Sequence, residues 1–219
     1  MIVKEVNSFL AITFEISKHC PTVENYWRIL LPQLQPYKYL EIGSFEGLST
    51  SRFLEIAKTY SLQNTSHRLQ VTCIDSWSGG EEHQGMNFGK IEALYESNVQ
   101  ECLSWYPAER RPEIRKIKSL SHQALCKLVG SESNQYDLIY VDGSHHGADT
   151  LADIMLCWFL LRVGGVMIMD DYLWKEPTGK GAIHEPKIAI DAFTTIFGQR
   201  LQIIMDAPLR QMHFVKRAN

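Results

Sequence analysis

Residues 39–50 read Tyr-Leu-Glu-Ile-Gly-Ser-Phe-Glu-Gly-Leu-Ser-Thr. An apolar run carrying Glu41 meets Gly43, a second glycine follows at Gly47, and a helical pattern starts at Leu48. Some α/β folds place a glycine turn between a buried strand and a helix. Where one does, the turn lets a ligand approach the backbone, and the helix N-terminus offers free N–H groups. The spacing is E-x-G-x-x-x-G, which departs from the G-x-G-x-x-G dinucleotide fingerprint because residue 45 is Phe.

The alternation of strand and helix continues along the chain. Residues 48–60 read as the helix after the first strand, and Leu69–Asp75 as a second strand ending in an acid. Residues 76–90, with four glycines, read as a loop suited to a lid or a plain surface loop, with His83 as a possible substrate contact, and 91–105 as a helix. Ile114–Ile117 is a short strand and His122–Leu128 a helix. Tyr136–Asp142 is a strong strand ending in an acid. Ala148–Leu161 is a helix stopped at Gly164-Gly165, and Val166–Asp171 is a strand ending in two acids. Glu185–Phe197 is a helix with Pro186 in its first turn. Leu201–Met205 and Gln211–Lys216 close the chain as strands around Pro208. Strands alternating with helices predict an α/β fold: a Rossmann-like, doubly wound, seven-stranded, mostly parallel sheet with an antiparallel C-terminal strand. Residues 2–18 and 22–35 carry helical spacing around Pro21 and predict N-terminal helices outside the sheet. The expected division is a helical cap over 1–36 and one domain over 37–219. A homodimer through the cap is an open alternative to a cover over the site.

Ligands of open α/β sheets bind outside the carboxyl ends of the strands. Glu41, Asp75, Asp142, Asp170 and Asp171 all fall at that edge. A single such acid is commonly a cap or turn residue, but five beside a glycine loop describe a site. The loop and its acids resemble the first motifs of the class I S-adenosylmethionine-dependent methyltransferases. The resemblance implies S-adenosylmethionine as cofactor. Glu41, Gly43, Ser44, Gly47 and Ser49 would hold its methionine moiety and ribose. Asp75 would take the ribose hydroxyls, Ser76 and Trp77 would flank the adenine, and Ser119-Leu120 would contact it.

Asp142, Asp170 and Asp171, converging without cationic partners, would repel one another, and a hard divalent cation relieves this. Val141-Asp142-Gly143-Ser144-His145 and Leu161–Asp171 resemble the catechol-type O-methyltransferases. They are closer still to the bacterial branch with macrocin- and rhamnosyl-type sugar methyltransferases and cephalosporin hydroxylase-like proteins. That resemblance covers residues 37–175. It implies Mg²⁺ on Asp142, Asp170 and Asp171, although the catechol enzymes carry Asn where this chain has Asp171. His145 stands where they carry a general-base lysine, and a neutral imidazole serves that role near pH 7. A histidine pair at a helix start also serves as a cap. Lys175 is a further base or anion contact, and Trp174 a wall of the acceptor pocket.

The expected activity is methyl transfer to a hydroxyl of a sugar, phenol or natural product. A nicotinamide-dependent oxidoreductase, a cofactor-binding protein without chemistry and a hydroxylase-like use of the fold are the alternatives. The net charge of −3 gives no drive toward nucleic acid. The basic cluster Arg110-Arg111, Arg115, Lys116 and Lys118 reads as a solvated face. Five cysteines, odd in number and never at C-x-x-C spacing, argue against a disulfide framework or zinc site. No apolar run is long enough to span a bilayer. No signal-peptide pattern is legible, so a cytoplasmic setting is expected.

Overall fold

A computed structural model of the chain describes residues 23–219 except 64–66, 81, 82 and 84. The expected helix over 2–18 lies outside the described residues.

The seven expected strands are present: β1 (Lys38–Ile42), β2 (Gln70–Asp75), β3 (Glu113–Lys118), β4 (Tyr136–Val141), β5 (Leu161–Met169), β6 (Leu201–Ile203) and β7 (Met212–Lys216). They form one sheet in the order β3-β2-β1-β4-β5-β7-β6. β1 to β5 pair in parallel, whereas β7 runs antiparallel to both β5 and β6. The strand order reverses between β1 and β4, so the crevice of such a sheet opens there.

Among the described residues six α-helices cover the sheet: α1 (Val23–Leu34), α2 (Leu48–Ser61), α3 (Phe88–Ser104), α4 (Ser121–Glu132), α5 (Gly147–Leu160) and α6 (Pro186–Phe197). Side chains alternate between two covered faces, which explains why the central strands read as unbroken apolar runs. Tyr39, Leu138, Tyr140, Val166 and Ile168 face a core shared with residues of α1, α2 and α3, such as Trp27, Phe53 and Tyr95. Leu40, Ile139, Val141, Met167 and Met169 face the opposite core with Leu125, Ile154 and Phe193. α1 packs on the sheet through Tyr26, Trp27, Leu30 and Leu31.

Several boundaries differ from expectation by a few residues, and two have a local cause. α3 begins at Phe88, inside the expected loop, because the Asn87 side chain accepts a hydrogen bond from the Lys90 N–H and caps the helix. Gly164-Gly165 does not stop α5, which ends at Leu160; both glycines lie within β5. There the register jumps from Tyr136–Leu161 to Leu138–Val166, and Gly164, at φ +80°, absorbs the extra residues. The end of α5 is closed by Lys216, fully buried. Its ammonium donates to the carbonyls of Trp158 and Leu161 (both 2.9 Å) and to Asn134 Oδ1 (3.0 Å).

The basic cluster on β3 is neutralised locally: Arg115 pairs with Glu132, Lys116 with Glu92 and Glu96, and Lys118 with Glu92. Among the described residues no helix is long and apolar enough to cross a membrane.

Candidate functional site

A cavity of about 810 Å³ opens at the carboxyl ends of β1, β2 and β4. One half is built on β1 and β2. Gly43, at φ +82°, lies so close to β4 that an added Cβ would sit 1.8 Å from the Asp142 carbonyl oxygen. Gly47, at φ +83°, starts α2 and packs against Tyr95. Between them Phe45 adopts φ +47°, and its N–H donates to Asp75 Oδ2 (2.9 Å). The Trp77 N–H donates to the other Asp75 oxygen (2.6 Å), and the Trp77 indole donates back to the Phe45 carbonyl (2.9 Å). The carboxylate at the end of β2 is thus held by two backbone donors while it faces the cavity. Phe45, Trp77 and Asp171 are three of the five non-glycine residues with positive φ among the described residues. All three line this cavity, and such strain concentrates at functional sites.

The other half is built on β4, β5 and the start of α5. Here Asp142, His145 and Asp171 each bring a ligand atom within 4.8 Å of the others. His145 Nε2 lies 2.9 Å from Asp171 Oδ2, and the ring stacks on Trp174 at 4.3 Å between centroids. Burial, then the neighbouring Asp170 and Asp171 carboxylates, push the Asp142 carboxyl up to about 8. Asp170 turns inward. Its Oδ2 accepts from the Tyr140 hydroxyl and from Gln211 Nε2 (2.7 Å), and its Oδ1 accepts from the Asp171 N–H (2.7 Å). Tyr140 also reaches Asp142 Oδ2 (3.0 Å), and the Trp27 indole donates to Gln211 Oε1 (3.0 Å). A buried network therefore runs from α1 to the cluster. Arg210 approaches from solvent, 3.7 Å from Asp170 and 3.9 Å from Asp171.

Of the residues singled out from sequence, Gly43, Asp75, Ser76, Trp77, Ser119, Leu120, Asp142, His145, Asp171 and Trp174 line the cavity. Glu41 does not. It is fully buried, and its carboxylate accepts from the Tyr39 and Thr50 hydroxyls (both 2.6 Å), tying β1 to α2. Ser44, Gly47 and Ser49 shape the loop and the first turn of α2 without lining the cavity. Lys175 also lies outside the lining, its ammonium paired with Glu185 at 2.6 Å. The trio brought together is Asp142, His145 and Asp171, with His145 in the place expected for Asp170. Two carboxylates and an imidazole fit a divalent cation, and the nitrogen donor widens the choice beyond Mg²⁺ to first-row transition ions, with Mn²⁺ suited to the two carboxylates. Tyr140 and Gln211 were missed. Tyr140 was legible, since two residues before Asp142 on a strand means the same face. Gln211 has no local signal, lying 41 positions from the acid it holds.

A family model described as "Methyltransferase domain" matches residues 40–172. An uncharacterized protein, R132 of Acanthamoeba polyphaga mimivirus, is 28% identical over 135 residues, 61% of this chain and 51% of that protein, so the chain spans about half the length of this curated relative. Among solved structures, an O-methyltransferase from Bacillus cereus in complex with SAH superposes with a TM-score of 0.60 at 17% identity. The match covers 99% of this chain and 93% of that one. The O-methyltransferase TomG of Streptomyces achromogenes, in complex with SAM, superposes at 0.59 with 16% identity, over 96% and 85% of the two chains. At these identities the likeness is one of fold.

Proposed function

The chain belongs to the methyltransferase-domain family, and on that premise we propose that it is an S-adenosylmethionine-dependent O-methyltransferase for a small hydroxylated acceptor, assisted by a divalent cation. The observation that carries the reading is the division of one cavity into a preorganised Asp75 carboxylate and an Asp142–His145–Asp171 cluster. S-adenosylmethionine, when bound, supplies an electrophilic sulfonium methyl, and a divalent cation, when bound, lowers the pKa of the acceptor hydroxyl. The chain's own residues do the rest. Asp75 keeps a lone pair on each oxygen for a ribose diol, because its backbone donors occupy only one site per oxygen. The turn at Gly43 brings the backbone of β1 against β4, so the two halves of the cavity are held at fixed separation. That positioning of methyl donor and hydroxyl is where most of the rate gain of a methyl transfer arises. Asp142 and Asp171 would hold the cation. His145, stacked on Trp174, would take the hydroxyl proton at Nε2 once the Asp171 carboxylate has turned from that nitrogen to the cation. A second reading is favoured by the 4.8 Å cluster: His145 as a third donor to the cation.

The decisive experiment is calorimetric titration of S-adenosylhomocysteine, with NAD⁺ as control, followed by Mn²⁺ titration. Asp75→Ala is expected to weaken S-adenosylhomocysteine about 10- to 100-fold, the loss of charge-assisted hydrogen bonds. Asp142→Ala is expected to abolish turnover while leaving that affinity intact. His145→Ala separates the two roles: as base it loses turnover and keeps Mn²⁺, as donor it loses both. Binding of NAD⁺ in place of S-adenosylhomocysteine would sink the assignment.

A further inference from the structure

Behind the turn that carries Asp142 and His145 lies a second cavity of about 10 Å³, about the smallest that admits one water molecule. Asp142, Asp153, Asp170, Asp171 and Thr150 line it with the backbone of Gly143. Asp153, on α5, is only 1% exposed, and neither of its carboxylate oxygens meets a donor at full hydrogen-bond geometry, although the Ser121 side chain at the start of α4 favours its charge. Its Oδ2 is aimed at the turn: a Cβ added to Gly143 would lie 3.3 Å from it. A buried carboxylate without a donor opposes folding. The buried residues that follow it on α5, Ile154, Cys157, Trp158 and Leu160, are apolar. The polar groups that face it from the packed helix α4 are Ser121 and His122, and on its other side lies the turn. Asp170 already accepts from Tyr140 and Gln211 at Oδ2 and from the Asp171 N–H at Oδ1, which leaves it one open site. The acceptors left around the cavity on these acids therefore include those of Asp153 and Asp142. An octahedral cation carrying several of its own waters does not fit the volume, whereas a single water does.

We propose that this cavity is a one-water site joining Asp153 to Asp142, and that Asp153 is thereby the interior positioning residue of the divalent-cation site. The inference rests on the cation reading above. The water gives one hydrogen to each carboxylate. Asp142 is then fixed from behind by the water and from the side by Tyr140, with its remaining lone pairs directed into the main cavity. Asp153 touches neither cation nor acceptor; it acts through Asp142, as outer partners of metal ligands do.

The test uses the full chain and Mn²⁺ as probe, read by electron paramagnetic resonance, with S-adenosylhomocysteine affinity and melting temperature as controls. Asp153→Ala is expected to weaken Mn²⁺ about 10- to 100-fold with S-adenosylhomocysteine affinity unchanged, and Asp153→Asn, whose side-chain oxygen still accepts, to restore part of the loss. Mn²⁺ affinity within about twofold of wild type in Asp153→Ala, well short of the loss an outer partner causes, overturns the proposal and leaves the cation reading standing. Wild-type protein that binds no Mn²⁺ overturns both. Should the alanine variant fail to fold, a crystal structure of the wild-type protein with Mn²⁺ decides. A solvent peak within hydrogen-bond distance of both Asp153 and Asp142 supports the proposal, and a site without one refutes it.

Discussion

Gly43→Ala isolates the contact that holds the two halves of the cavity together. Two costs add. An alanine at φ +82° sits in the left-handed region, about 1–2 kcal/mol above its ordinary conformations. Its Cβ would also stand 1.8 Å from the Asp142 carbonyl oxygen and 2.6 Å from the carbonyl carbon. Both atoms are backbone at the end of β4, so no rotamer change relieves the overlap. The strand ends must part by more than an ångström, which breaks the Asp142 N–H to Ile42 carbonyl bond and strains that from the Gly43 N–H to Ile74 (both 2.9 Å). At roughly 0.5–1.5 kcal/mol for each bond, the total reaches about 2–5 kcal/mol. For a chain of this size that is a fall of about 5–15 °C in melting temperature. The control is Gly179→Ala, at φ +77° with nothing within 4 Å of an added Cβ. It carries the conformational cost alone and should lose no more than about 2 kcal/mol. Differential scanning fluorimetry compares the two, and S-adenosylhomocysteine titration reads the site. Equal losses in both variants, or a Gly43→Ala protein that binds the ligand as wild type does, would refute the close approach as the origin of the effect.

Tyr140→Phe removes a hydroxyl shared by two buried carboxylates, and is expected to cost about 1–3 kcal/mol in chemical denaturation. An unchanged midpoint would mean that the Trp27–Gln211–Asp170 chain does not depend on it. Lys216→Met leaves the carbonyls at the end of α5 without their donor and should destabilise the protein at pH 7 by a similar amount. Burial lowers the Lys216 ammonium to about 8 from its ordinary 10.5. Between those values the unfolded chain holds a proton that the folded one has released. Wild-type stability therefore rises with pH across that window relative to Lys216→Met. A gap between the two proteins that stays constant from about pH 7 to 10 would contradict this linkage.

The sheet was legible because its strands are buried on both faces, and a buried strand has to be written in apolar residues whatever it later does. Gly43 and Asp75 were legible for a related reason: both stand where an apolar run stops, and the end of a parallel strand is where the crevice opens. The division of labour between Asp170 and Asp171 was not read, although the sequence held part of it. Successive residues of an extended chain face opposite sides, so two adjacent acids at the end of β5 are poor candidates for equal roles at one cluster. The structure sends Asp170 into the Tyr140–Gln211 network and leaves Asp171 with His145. What periodicity does not reach is the choice between them. It depends on Gln211, which precedes β7, the strand inserted antiparallel between β5 and β6, and on Trp27, which enters from α1. Asp153 fails to show for the opposite reason: an acid in a largely apolar helix, with Asp149 one turn before it, looks like a solvated position until the helix is docked. Side chains that bear on the site through long-range contacts thus escape the sequence, while those placed by the strand ends do not. The cation cluster is where the two kinds meet, with Asp142 read from its strand and its supporting partners read only from the fold.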